Sequence, residues 1–234
     1  MELAAVCERQ LTGFLGQPAN AITSAAFVVA GVGILVAARR GRIRPEAPVP
    51  DRQSFVFALL ISGIGVGSFI QHGPNPDWQA YAHDLPLAAV LVFVATDAVS
   101  DLTGRELSPA WWLVPTVAMV PIVTLGATVS TIVQAVMATA AIGLNLVRAR
   151  VRPRLRRTLY AALATVAAGA LIGTLTDRTS LCQADSLLQG HAVWHILAAA
   201  ALWRLAPAIG ARRWPRYLAG PLLLGDRSAE SARV

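Results

Sequence analysis

The chain has 234 residues, 55% hydrophobic and 14% charged, with a mean hydropathy of +0.55; soluble domains carry about 25% charged residues, so an ordinary water-soluble enzyme is excluded. The length holds one polytopic membrane domain of at most about seven crossings, and because all 20 basic residues are arginine, every lysine-amine chemistry is excluded, including the Schiff base of a retinal-binding protein. The net charge of +7 and pI near 10.9 are not a sign of nucleic-acid binding, because the arginines lie between apolar segments, where positive charge sets membrane orientation.

Residues 1–18 lack the basic and apolar regions of a secretory signal, and Glu2, Glu8 and Arg9 interrupt them; LAAVC at 3–7 has no apolar segment before it, so lipidation is not expected. Apolar stretches then run from Ala19 to Ala38, Phe55 to Gln71, Asp84 to Val99, Ala110 to Leu125, Ser130 to Val147, Leu159 to Leu175 and His191 to Ile209. Taken as one helix, Ala110 to Val147 would be about 57 Å long, nearly twice the roughly 30 Å hydrocarbon core. Two helices joined by an uncharged turn near Gly126 fit better. Gly63, Gly65 and Gly67 sit in mid-helix, where small residues let helices pack closely.

Arginine follows every odd-numbered span: Arg39, Arg40, Arg42, Arg44 and Arg52 the first, Arg105 the third, six between Arg148 and Arg157 the fifth, and Arg212, Arg213 and Arg216 the seventh. The other side holds only Arg9 and Arg178. The positive-inside rule makes the arginine side cytoplasmic. The expected fold is an all-α, seven-transmembrane helix bundle over 1–234, a single domain. Its N-terminus lies outside, with 1–18 an extracytoplasmic segment, and 212–234 form a cytoplasmic tail.

Ionisable side chains in a span are costly and need a partner or a function. His191 and His195 are four residues apart, which stacks two imidazoles on one helix face at a spacing that serves one metal ion. Ser68 and His72 repeat that spacing on the second helix, and Asp84 opens the third after the connection Gly73 to His83. Three neutral imidazoles with a fourth position open are the donor set of a catalytic zinc site. A nearby carboxylate takes and returns a proton, and a hydroxyl donates to a developing oxyanion; Asp84 and Ser68 suit those roles. Asp84 also suits an N-cap or a hydrogen bond to a ligand imidazole, and Ser68 a bond back to its own helix. His83 is expected to stand apart, since neighbours on a helix diverge by about 100°. Asp97 and Asp101 lie roughly 20 Å or more along the same helix and are expected to pair with arginines. Gln134 and Asn145 read as interhelical hydrogen bonds. Cys7 and Cys182 both map outside, where an oxidising compartment permits a disulfide. Free thiols, or Cys182 as a metal ligand, are the alternatives.

Ser68 and His72 as SxxxH, Asp84, and HxxxH at His191 and His195 together resemble the alkaline ceramidases and their wider superfamily, which includes the progestin and adiponectin receptors, the hemolysin III-like proteins and the Per1 proteins. Cys7-Glu8, Asn20 and GHAVWHIL at 190–197 are most similar to the ceramidase branch. The resemblance implies an intramembrane zinc amidohydrolase that cuts ceramide or a related N-acyl lipid to a sphingoid base and a fatty acid. His72, His191 and His195 would hold Zn2+, Asp84 would activate water and protonate the leaving amine, Ser68 would stabilise the oxyanion, and Cys7 and Cys182 would form the branch's disulfide. Where eukaryotic members have acidic calcium ligands this chain has Ala5 and Gln17, leaving Glu8 as the clearest surviving acidic residue of a vestigial Ca2+ site. Calcium regulation is accordingly not expected. The partners implied are a membrane lipid substrate and the bilayer, with no nucleic acid and no retinal. The protein is expected to be a multi-pass integral membrane protein, in the plasma or inner membrane if the source is bacterial, with its site towards the extracytoplasmic leaflet. The rival from another class is a receptor-type lipid sensor in which the same zinc only braces helices. A transporter built from two related halves is not apparent.

Overall fold

The computed structural model describes residues 6–43 and 52–211, and among them the secondary structure is entirely helical. Arg44, Ala5, the start of the N-terminal segment, and Arg212, Arg213 and Arg216 with the tail 212–234 lie outside the described residues. Seven helices follow one another: α1 (Pro18–Arg39), α2 (Arg52–His72), α3 (Gln79–Thr103), α4 (Ala110–Thr124), α5 (Ala127–Val151), α6 (Arg156–Arg178) and α7 (Gly190–Leu205). A 3-10 turn over Ala206–Ala208 continues α7. Five of them, α1, α2, α3, α5 and α6, are long and apolar enough to cross a membrane, and α4 is a shorter apolar helix of 15 residues. Each helix packs on the next in sequence, α3 also lies against α5, and α7 returns to α1, which closes the bundle.

The helix boundaries depart from the apolar runs where polar residues extend a helix. α3 starts at Gln79, so Asp84 lies in its second turn instead of opening it, and the connection from α2 is shortened to residues 73–78. No rule of apolar periodicity marks those first five residues. α5 likewise runs on to Val151, taking Arg148 out of the expected loop and into the helix. The break between α4 and α5 falls at Gly126, whose φ of 106° is accessible to glycine and strained for other residues.

Gly65 and Gly67 set the interhelical distances at one end. A Cβ on Gly65 would stand 2.9 Å from the Ser24 carbonyl oxygen, so α1 and α2 touch backbone to backbone there. On Gly67 it would stand 1.9 Å from the Ala82 carbonyl oxygen of α3. That carbonyl is free to approach because the residue four ahead is Pro86, which has no N–H to offer it. The Pro86 ring lies against Gly63. Close packing is thus the use this structure makes of the three glycines. α1 itself breaks at Ser24, between Pro18–Thr23 and Ala25–Arg39.

Alternation of helix direction gathers the start of α1, the end of α2, the starts of α3, α5 and α7 and the end of α6 at one end of the bundle. At the opposite end Arg148, fully buried, donates to Asp101 at 2.6 Å, to Asp97 at 3.0 Å and to the Ala208 carbonyl at 2.7 Å. Asp97 also accepts the Gly210 N–H, and Arg152 lies 3.3 Å from Asp101. Asp97 and Asp101 therefore do pair with arginines.

Candidate metal centre

His72 is the last residue of α2, while His191 and His195 occupy the first turns of α7. Their ring centroids are 4.7 to 5.2 Å apart, and one ligand atom from each falls within 4.8 Å of the others. The spacing on α7 brings two imidazoles to one face, as expected, but the third arrives by packing of α2 on α1 and of α1 on α7.

Each imidazole has an oxygen at Nδ1. For His72 it is Gln17 Oε1 at 2.6 Å, for His191 Asp177 Oδ2 at 3.4 Å, and for His195 the Asn20 carbonyl at 3.1 Å with Thr23 Oγ1 at 3.2 Å. Thr23 donates its own proton to the Ala19 carbonyl, so it accepts from His195. Oxygen acceptors assign the proton to Nδ1 and leave Nε2 with a lone pair, the form in which histidine ligates a metal. His72 Nε2 is buried with no hydrogen-bond partner, and His195 Nε2 has Ser68 Oγ 3.2 Å away. A cluster of inward lone pairs, one of them orphaned, is a donor set suited to a cation of borderline softness.

Ser68 Oγ lies 2.9 Å from the Ser24 hydroxyl, which donates to the Asn20 carbonyl at 2.8 Å, and 3.2 Å from His195 Nε2. The plain reading of Ser68, bonded back to its own helix, is not the contact observed. Asp84 sits near the Gly67 contact and accepts hydrogen bonds at both oxygens, Oδ1 from His83 Nδ1 at 2.7 Å and Oδ2 from the Ser130 hydroxyl at 2.5 Å. Gln134 donates to Ser130, one turn back on α5, and also hydrogen-bonds Asp84 of α3, so it does bridge helices as expected, whereas Asn145 donates to the Ala141 carbonyl of its own helix. His83 is no bystander to Asp84. An imidazole is long enough to fold over the adjacent side chain, and diverging helix positions do not prevent contact between neighbours.

Cys7 and Cys182 are joined as a disulfide with Cα atoms 5.5 Å apart. The bond holds the N-terminal segment over the site. From there Cys7 N–H donates to Asp177 Oδ1, the carboxylate whose other oxygen faces His191. Glu8 accepts the N–H groups of Ala19 and Asn20 at 2.7 and 2.9 Å, satisfying orphan donors at the start of α1. Gln17, at a position where the resemblance has an acidic calcium ligand, donates to the Glu8 carbonyl and accepts from His72. Sequence reasoning missed Gln17, Thr23 and Asp177 as partners of the histidines. The one signal for Asp177 was a carboxylate at the end of an apolar span.

Compared with models of protein families and with curated proteins, the chain matches none.

Proposed function

We propose that the chain is an intramembrane zinc-dependent amidohydrolase that cleaves the amide of ceramide or a related N-acyl lipid, releasing a sphingoid base or amine and a fatty acid. In this reading all seven helices span the bilayer, the arginine-rich end is cytoplasmic and the histidine end meets the extracytoplasmic leaflet. The observation that carries it is the convergence of three imidazoles, each with an oxygen facing its Nδ1 and one with an orphaned, buried Nε2. His72, His191 and His195 would hold the metal, and bound zinc supplies a Lewis acid for carbonyl and water.

The remaining work belongs to side chains of this chain. Asp84 takes the proton of the attacking water and delivers it to the amide nitrogen as the C–N bond breaks, so hydroxyl goes to the acyl carbon and hydrogen to the amine. His83 and Ser130 hold its carboxylate during that exchange. Ser68, whose hydroxyl already lies beside His195, donates to the oxygen on which negative charge develops.

The test is fatty-acid release from a panel of ceramides and other N-acyl lipids by the purified protein, with metal content measured on the same sample. Zinc near one per chain is expected, with turnover; His195→Ala loses both, and Asp84→Asn keeps zinc while turnover falls about 10²–10⁴-fold. Zinc without turnover on any lipid favours the receptor-type sensor. Absence of zinc overturns the reading.

A further inference from the structure

A groove of about 740 Å³ runs between α1 and α7, away from the histidines. Val29, Val32 and Val36 line its α1 wall, all exposed, and recur at helical spacing so that the next position of the stripe is Arg40. Trp203 forms the facing wall, close against α1 because Gly33 has no side chain: a Cβ there would stand 2.3 Å from the indole ring. Arg40 and Arg42 close the groove at one end, and among the described residues that line it none is acidic.

From Val28 to Arg40 the helical rise is about 18 Å, comparable to one leaflet of a hydrocarbon core about 30 Å thick. The groove is therefore as deep as one acyl chain is long, with paired positive charge where a headgroup would lie. Arginine matches a phosphodiester with two parallel N–H donors, and basic sites between helices at a bilayer surface select anionic lipids. Bulk lipid would cover a valine face equally well without the arginines.

We propose that this groove is a binding site for an anionic phospholipid of the surrounding bilayer, one acyl chain lying along Val29, Val32, Val36 and Trp203 and the phosphate held by Arg40 and Arg42. The site is separate from the histidine cluster and does not depend on the chemistry assigned there.

The experiment is native mass spectrometry of the intact protein released from nanodiscs of equimolar phosphatidylglycerol and phosphatidylcholine with matched chains. One phosphatidylglycerol per chain is expected to be retained in preference to phosphatidylcholine. Arg40→Gln with Arg42→Gln reduces that preference by about fivefold for each arginine, whereas Arg105→Gln, exposed at the same end but outside the groove, leaves it unchanged. Val32→Trp fills the groove and lowers retention with both arginines in place, and an unchanged thermal midpoint shows that each variant folds. Equal retention of the two lipids overturns the proposal, as does an Arg105→Gln loss as large as that of the pair. A lipid-free dimer that Val32→Trp makes monomeric assigns the groove to a second copy, and a cross-link from Val32→Cys to residues 44–51 assigns it to the chain's own segment; either result overturns it too.

Discussion

The Gln17 amide oxygen, the Asp177 carboxylate and the Asn20 carbonyl each face the Nδ1 of a different histidine, and this is what turns three imidazoles into a donor set. Such outer partners fix ring orientation and raise basicity, and their loss typically costs about 10–100-fold in metal affinity. Asp177→Ala is expected to weaken zinc binding within that range while the protein stays folded, measured by competition with a chromogenic chelator. The control is Asp185→Ala, which removes an exposed pair with Arg9, 61% and 69% solvent-accessible, and should change nothing. Asp84 belongs to a second set with His83 and Ser130. The first set can therefore hold metal when Asp84 is changed, which is why zinc content and turnover separate in Asp84→Asn.

Helices α1, α2 and α3 bring these residues together at two points. The Asn20 carbonyl keeps its helical bond from the Ser24 N–H and takes His195 Nδ1 as a further partner. The meeting of Gly67 with the Ala82 carbonyl, unclaimed because of Pro86, places the start of α3 against the Ser68 turn of α2. Gly67→Ala drives a methyl group into that carbonyl, and the backbone has no flexible end with which to yield. Overpacking of this kind costs typically about 1–3 kcal/mol, so a lower thermal midpoint in detergent is expected. Gly143→Ala, with open space where its Cβ would go, should leave the midpoint unchanged or raise it.

Two long-range ties hold the bundle at its opposite ends. At one, Arg148 joins α5 to Asp97 and Asp101 of α3 and to the Ala208 carbonyl beyond α7. Removing one partner of a buried ion pair leaves uncompensated charge and costs about 3–5 kcal/mol; Arg148→Met is expected to destabilise by that much in denaturant titration. Adding Asp97→Leu and Asp101→Leu to it should recover most of the loss, because the charge that needed a partner is gone. At the other end the Cys7–Cys182 disulfide closes a separation of 175 residues. Replacing both cysteines by serine is expected to cost about 2–4 kcal/mol. It should also speed zinc loss to a chelator, since Cys7 N–H no longer holds Asp177 beside His191.

Apolar runs, helix class, the arginine-rich end and the pairing of His191 with His195 on one face are all legible along the chain, because each depends on composition or on a 3.6-residue period within a window of about two turns. The candidate donors His72, His191 and His195 were legible for the same reason: costly side chains stand out against an apolar background. The start of α3 at Gln79, the burial of Arg148 within α5, the contact of His83 with Asp84 and the oxygens of Gln17, Thr23 and Asp177 were not. Thr23 meets His195 across 172 positions and Arg148 meets Asp101 across 47. Partnerships at that range are chosen by which helices pack together and how closely their glycines let them approach, and no local stretch of sequence contains that information.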